Sequence, residues 1–180
     1  MYGMIHGGIK QMVIEKLGRT AWNSIEQDAG IGPQELIAAV VYQDDMTIRL
    51  LRSAATQLEL TVDETLHAFG RYWIRFAERG SFSTIMTFTG KDIESFISNL
   101  DRMHRAVVAA LPEARVPSFT IVHRADGLLQ VRYRSDRQGL DLFVLGLFEG
   151  LLERFDLDGD VRQLDTSAEG ITYEVRYRNR

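Results

Sequence analysis

The chain has 180 residues, of which 45% are hydrophobic and 26% are charged, and its formal net charge is −4. This length and composition are typical of one soluble globular domain with a sizeable core. The sequence contains no cysteine, which excludes disulfides, iron–sulfur clusters, thiol nucleophiles and thiolate zinc sites.

The acidic balance does not favour nucleic acid as a partner. The basic tail RYRNR at 176–180 is interpreted as the solvated face of a last strand. No run of eighteen apolar residues predicts a membrane span, and the first residues lack the pattern of a secretory signal. We therefore expect a cytoplasmic protein that does not contact a membrane.

The first part of the chain predicts short helices, because apolar residues recur at helical spacing between glycine and proline breaks. One such helix ends before Gly18, a second begins at Pro33, and a third ends at Leu58. The apolar faces of these helices consist of Ile5, Ile9, Met12, Val13 and Leu17, then Leu36, Ile37, Val40 and Val41, then Ile48, Leu51, Ala55 and Leu58.

Two longer helices follow. Thr61 and Glu64 have the spacing of a capping box, which predicts a helix start. The longest amphipathic stripe then lies before Pro112 and includes His104 among apolar residues. Its other members are Ile93, Phe96, Ile97, Leu100, Val107, Val108 and Leu111.

From Ser118 the apolar period changes to two, and Asp126-Gly127 separates two alternating runs, which predicts an antiparallel hairpin. Helical spacing returns over 140–155, and two further strands are predicted near 161–164 and 171–177. Helices followed by a strand meander favour an α+β fold in one domain, 1–180, with a mainly antiparallel sheet and a packed helix.

His104 is the first candidate functional residue, because neutral imidazole is the commonest metal ligand and often the proximal ligand of haem iron. The alternative interpretation is a core histidine whose ring is satisfied by one hydrogen bond, and such histidines are more common. The helical spacing alone does not decide between the two.

Tyr133, Ser135 and Arg137 form the second candidate, because residues two apart on a strand share one face. Two hydroxyls and a guanidinium fork on that face suit a carboxylate ligand. The alternative is the polar outer face of an edge strand. Leu129 and Val131 lie on the same face and favour the first interpretation.

These residues carry a resemblance to the bacterial H-NOX family and to the haem domain of soluble guanylate cyclases. Y-R-S-D-R at 133–137 is similar to the family signature Y-x-S-x-R, and L-D-R-M-H at 100–104 resembles its proximal-histidine helix. R-V-P-S-F at 115–119 resembles the segment whose proline presses on the porphyrin. The segments M-Y-G, G-R-Y-W and L-G-L-F-E-G at 1–3, 70–73 and 145–150 occur in the expected order, so the likeness covers essentially the whole chain.

The resemblance implies a haem b enclosed by the fold, with His104 as the axial iron ligand and Pro117 distorting the macrocycle. Tyr133, Ser135 and Arg137 would bind the propionates. Residues 1–60 would form a distal helical subdomain and residues 61–180 a proximal one. The implied distal pocket consists of Ile5, Ile9, Trp73 and Leu142.

Leu142 matches the position at which oxygen-binding members of the family carry a tyrosine. Without that donor, bound oxygen lacks a stabilising hydrogen bond, whereas nitric oxide binds ferrous haem without one. The resemblance therefore implies a nitric oxide sensor, which would also take carbon monoxide. Tyr42, Tyr72 and the indole of Trp73 are the other donors that could enter this pocket.

In the function that the resemblance implies, the domain has no catalysis of its own. Ligand binding breaks the bond between iron and His104, the helix of His104 shifts, and a separate effector responds, such as a histidine kinase or a cyclic-di-GMP enzyme. The alternatives are a haem-dependent enzyme, an oxygen-binding haem protein or haem carrier, and an interaction module without a cofactor. An enzyme of the peroxidase type would need a distal acid–base pair.

Overall fold

The computed structural model of the chain describes residues 2–32, 36–80 and 82–180. In these ranges a helical N-terminal part is followed by an antiparallel sheet with one further helix, so the predicted α+β fold is confirmed. The helices are α1 (Gly3–Leu17), α2 (Arg19–Ala29), α3 (Asp44–Leu58), α4 (Val62–Arg79), α5 (Ser83–Thr89), α6 (Ile93–Ala110) and α7 (Asp141–Arg154). The strands are β1 (Ser118–Ala125), β2 (Leu128–Arg134), β3 (Leu157–Ser167) and β4 (Gly170–Asn179).

Capping residues set the starts of the two longest helices. Before α4, Thr61 accepts a hydrogen bond from the Glu64 backbone amide (3.1 Å) and the Glu64 carboxylate accepts one from the Thr61 amide (2.8 Å). This is the predicted capping box, which satisfies two amides that the helix itself leaves unpaired. Asp92 and Ser95 form the corresponding pair at the start of α6.

The sheet has the strand order β1-β2-β4-β3, and each neighbouring pair is antiparallel. The predicted hairpin joins β1 and β2, and Gly127 in its turn has a φ of 66° that favours glycine. Leu129, Val131 and Tyr173 are fully or almost fully buried on the face that packs against the helices. The sheet therefore closes one side of the core.

Two helices approach each other closely because glycines lie between them. A Cβ at Gly70 in α4 would come within 2.1 Å of the carbonyl oxygen of Phe143, and one at Gly146 in α7 within 2.2 Å of that of His67. No side chain fits at such distances, so glycine is required at both positions. This close contact fixes the position of α7 against α4.

The apolar core consists of two clusters, and α4 contributes to both. Leu66 and Phe69 lie in the N-terminal cluster, whereas Ile74 and Ala77 lie in the cluster beneath the sheet. Trp73 packs against both clusters. A boundary between two subdomains at residue 60 stays a prediction. Among the described helices, none has both the length and the apolar composition needed to cross a membrane.

The predicted helix after Pro33 is the main difference between expectation and fold. Pro33 itself lies outside the described residues, and residues 36–41 contain no helix. Carbonyl groups of this segment instead accept hydrogen bonds from the first amides of α1. Val40 O accepts from Gly3 N (2.9 Å), and Ala38 O accepts from Met4 N (3.1 Å). The first amides of a helix need such outside acceptors, and this demand competes with helical bonding within the segment.

Candidate functional site

An apolar cavity of about 280 Å³ is lined by residues of both core clusters. This volume lies just below the range of about 300 to 1,000 Å³ that is typical of small-molecule sites. Helices α1, α3, α4, α5, α6 and α7 and strands β1 and β2 contribute to its wall. The sequence-predicted residues His104, Pro117, Tyr133, Ser135, Arg137, Ile5, Ile9 and Trp73 all line it.

His104 presents one ring nitrogen to this cavity in a form that suits a metal. Its Nδ1 lies 2.9 Å from the carbonyl oxygen of Pro117, so Nδ1 carries the proton and donates it. Burial lowers the pKa of His104, although the bond to Pro117 partly opposes this. The ring is therefore neutral, and its Nε2 keeps a lone pair for a metal.

The segment that follows α6 is attached to the helix by further polar contacts. The Asp101 carboxylate accepts hydrogen bonds from the hydroxyl of Ser118 (2.6 Å) and the backbone amide of Phe119 (2.8 Å). Together with the bond from His104 to Pro117, these contacts connect one turn of α6 to the first residues of β1. Any movement of His104 is thereby coupled to the edge of the sheet.

The polar row lies at one end of the cavity, but only its first member belongs to the strand. Strand β2 ends at Arg134, because its partners β1 and β4 begin opposite that point, at Ser118 and Gly170. Ser135 and Arg137 lie in the following loop, where the Ser135 hydroxyl accepts a hydrogen bond from the Arg137 amide (3.1 Å). The expectation of a strand continuing through Arg137 is therefore wrong, although all three side chains reach the cavity.

Arg137 has a donor that lacks a partner. Its Nη1 donates to the Arg115 carbonyl (2.8 Å), whereas its Nε is buried and finds no acceptor among the described residues. A buried unsatisfied donor is unfavourable. Burial raises the pKa of Tyr133 and keeps this phenol protonated as a second donor. This end of the cavity is therefore suited to a carboxylate.

The α7 wall differs from the expectation in one residue. Leu142 is not among the residues that line the cavity, which instead meets Leu140, Phe143, Val144 and Leu147. Those four positions share one face of a helix, whereas Leu142 lies on another face. The helical spacing of Leu140, Phe143 and Leu147 in the sequence could have identified this face. None of the four side chains carries a hydrogen-bond donor.

The two tyrosines considered as distal donors do not line the cavity. Tyr72 donates to Glu15 (2.9 Å), and the hydroxyl of Tyr42 accepts from the amide of Ile37 (2.9 Å). Besides Trp73 and the groups predicted from the sequence, Tyr2, Thr47 and Arg115 bring polar atoms to the wall. No spacing in the sequence distinguishes Thr47 from the solvated residues of α3.

The donor set fits an apolar group that carries one metal ion and carboxylates. His104 offers a single neutral nitrogen, the walls are mostly apolar, and Arg137 offers an unpaired donor at one end. Within the described residues, no group of three or more His, Asp or Glu side chains could hold a bare metal ion. An α+β domain with such a pocket belongs to the class of haem-binding proteins.

Comparison with known proteins identifies the family. The model of the family described as Haem-NO-binding matches residues 2–163, so the chain belongs to this family, the H-NOX family. H-NOX domains are haem-binding gas-sensor domains related to soluble guanylate cyclase. The resemblance that the motifs indicated is confirmed.

One curated relative is the soluble guanylate cyclase gcy-35 of Caenorhabditis elegans, which is 31% identical over 158 residues. The match covers 86% of this chain but only 23% of the relative, so the chain spans about a quarter of its length. An H-NOX protein from S. oneidensis in the Fe(II)NO state has a TM-score of 0.84 at 20% identity, covering 99% of this chain and 100% of that one.

An oxygen-binding H-NOX domain, solved as its oxygen complex, also has a TM-score of 0.84, at 19% identity, with coverage of 99% and 96%. At these identities the likeness establishes the fold alone. Because one neighbour holds nitric oxide and the other oxygen, the fold does not distinguish between the two gases.

Proposed function

We propose that this chain is a nitric oxide sensor that holds haem b through His104 and reports to a separate effector. The observation that carries the proposal is the hydrogen bond from His104 Nδ1 to Pro117, which leaves Nε2 free at the cavity wall. The same bond joins the metal ligand to the segment that leads into β1. Binding and signalling would therefore share one residue.

Bound haem supplies a ferrous iron at which a diatomic gas coordinates. Tyr133, Ser135 and Arg137 would orient the group by donating to its two carboxylates, and the unpartnered Nε of Arg137 would gain its acceptor there. Pro117 lies on the wall beside His104 and would press on the macrocycle. Ile5, Ile9 and Trp73 would exclude water from the other face.

The preference for nitric oxide over oxygen is supported by the α7 wall. Leu140, Phe143, Val144 and Leu147 offer no hydrogen bond, whereas a bound oxygen molecule is polarised and gains from a donor. Nitric oxide needs no such donor, and carbon monoxide would likewise bind without one. The α7 side of the pocket would therefore give bound oxygen no stabilising donor, and we expect the chain to respond to nitric oxide in preference to oxygen.

The signal would pass through α6. His104 would hold the metal from α6, and loss of that bond would free its ring on the cavity side, while the contacts of Asp101 with Ser118 and Phe119 would carry a shift of the helix to β1. Helix α6 would then have two positions, and the bound gas would shift the equilibrium between them. The domain would have no catalysis of its own, and its effector would be a histidine kinase or a cyclic-di-GMP enzyme.

The test is the visible absorption spectrum of the purified, reduced protein under argon, in air and with nitric oxide. We expect a five-coordinate ferrous haem that does not change in air and becomes a five-coordinate nitrosyl complex. A stable oxygen complex would contradict the gas preference. A nitrosyl complex that keeps His104 as a sixth ligand would contradict the signalling step.

A further inference from the structure

A buried pair of polar side chains lies at the cavity wall, outside the set that the motifs identify. His6 of α1 is 0% exposed and Thr47 of α3 is 6% exposed. His6 Nε2 lies 2.7 Å from Thr47 Oγ1, and Thr47 lines the cavity. The other ring nitrogen of His6, Nδ1, is buried and has no hydrogen-bond partner in the described part of the chain.

The position of the proton on His6 follows from this environment. Burial lowers the pKa of His6 to about 4, so the ring is neutral at pH 7 and carries one N–H. A proton on Nδ1 would be a buried donor without an acceptor, which is rare in folded proteins. A proton on Nε2 instead forms the bond to Thr47. His6 is therefore the donor in this pair.

This arrangement leaves the hydroxyl proton of Thr47 available. Other buried threonines use theirs within the helix, as Thr65 does by donating to the Thr61 carbonyl (2.9 Å). Among the hydrogen bonds of the described residues, the Thr47 hydroxyl has only the one with His6. Since Thr47 forms part of the cavity wall, the acceptor for this proton is expected to belong to a group bound in the cavity.

The acceptor is suggested by what surrounds this end of α3. Asp44 lies three residues before Thr47 in the first turn, and its carboxylate is 4.0 Å from Arg115 Nη2. The carbonyl of Arg115 in turn accepts a hydrogen bond from Arg137 (2.8 Å). Thr47 therefore lies one helical turn from the network that contains Arg137. The oxygen acceptors expected at this end of the cavity are carboxylates.

We propose that Thr47 donates a hydrogen bond to a carboxylate oxygen of the bound tetrapyrrole, and that His6 is a positioning residue that holds the hydroxyl in this orientation. The proposal rests on haem binding by the domain and is independent of the gas preference. It adds a contact from the N-terminal helices to those that Tyr133, Ser135 and Arg137 make from the other side.

The first test uses the haem-loaded protein and its Thr47→Val variant, which removes the hydroxyl with little change in volume. We expect haem transfer to excess apomyoglobin to be about tenfold faster, because a hydrogen bond to a charged acceptor is lost. Thr47→Ser should restore the parent rate. Thr65→Val is the matched control, since Thr65 is equally buried but does not line the cavity.

The acceptor is tested by repeating the measurement with haem dimethyl ester, in which both carboxylates are blocked. The difference between Thr47→Val and the parent should then disappear. An unchanged rate with ordinary haem would overturn the proposal. So would an equal acceleration with the ester, because the hydroxyl would then act elsewhere.

A second measurement does not depend on any variant of Thr47. In the diamagnetic ferrous carbon monoxide complex, nitrogen NMR distinguishes protonated from bare imidazole nitrogens, and the signals of His6 are assigned from their loss in His6→Gln. We expect the proton on Nε2 and a bare Nδ1. A proton on Nδ1 would overturn the proposal, because Thr47 would then donate to His6. Neither result depends on which gas the protein senses.

Discussion

Arg137 is expected to stabilise the haem complex while contributing little to the stability of the haem-free protein. Its buried Nε has no acceptor among the described residues, and its Nη1 donates to the Arg115 carbonyl (2.8 Å). In the haem-free protein, Arg137→Ala removes both an unfavourable unpaired donor of about 1–3 kcal/mol and a favourable bond of about 1 kcal/mol. These two effects offset each other, so the free energy of unfolding should change by no more than about 1–2 kcal/mol, and in the stabilising direction.

In the haem complex the same donor has a carboxylate partner, and such a bond contributes about 1.5–3 kcal/mol. Since about 1.4 kcal/mol corresponds to a factor of ten, Arg137→Ala should weaken haem retention by about 10- to 150-fold. Arg137→Lys keeps the charge but loses the planar guanidinium, and we expect haem retention between that of the parent and that of Arg137→Ala.

The assay compares haem transfer to apomyoglobin with urea unfolding of the haem-free protein. Arg134→Ala is the matched control, because Arg134 donates to the Glu169 carbonyl (2.5 Å) and does not line the cavity. The reasoning is refuted if Arg137→Ala retains haem as the parent does. It is also refuted if the variant loses as much stability without haem as with it.

Three further predictions test the site and the fold. His104→Gly should retain haem through its carboxylates but lose the protein ligand, so its spectrum should change and added imidazole should restore it; a spectrum equal to that of the parent would contradict the assignment. Gly70→Ala should destabilise the protein by about 1–3 kcal/mol in urea unfolding, because its Cβ would lie 2.1 Å from the Phe143 carbonyl. Gly7→Ala, with open space around it, should be neutral or stabilising by up to about 1 kcal/mol. Burial lowers the pKa of His6 from 6.5 to about 4. The unfolded chain therefore takes up this proton at a higher pH than the folded protein does. The free energy of unfolding should fall by up to about 3 kcal/mol as the pH drops from 6.5 to about 4. His6→Gln should reduce the dependence of the free energy of unfolding on pH between pH 7 and pH 4. An unchanged dependence would contradict its assignment to His6.

Local patterns in the sequence were sufficient for most of the helices and for the hairpin. The stripe of α6 and the capping box at Thr61 depend on neighbours within a few residues, so the sequence alone predicts them. The end of β2 does not depend on its own sequence. It is set by where β1 and β4 begin, and no property of Ser135 or Arg137 contains that information.

The cavity-lining residues differ in how far the sequence alone could reveal them. Leu142 was assigned to the pocket by the resemblance, whereas the helical spacing of Leu140, Phe143 and Leu147 in the sequence indicates the face of α7 that lines the cavity. The bond between His6 and Thr47 joins residues that are 41 positions apart. Such a pair leaves no periodic signal, because only the packing of α1 on α3 brings the two side chains together.

The distribution of burial along α6 indicates which part of this helix would respond in the proposed sensor. Its buried residues Ile93, Phe96, Ile97 and Leu100 all lie in the first half, and within the helix no residue after Leu100 is buried. A fully buried aliphatic side chain contributes about 1.5–3 kcal/mol, whereas one hydrogen bond contributes about 0.5–1.5 kcal/mol.

From its middle onward, α6 is held by the polar contacts of Asp101 and His104 and by Met103, which is only partly buried against the core. These contacts contribute less than the apolar packing of the first half, so the first half stays fixed when His104 is released. The bend would then occur near Leu100, and the displaced part would be the C-terminal half of α6 together with the segment through Pro117. An effector that reads this sensor should therefore contact that half of the helix or the adjoining end of β1.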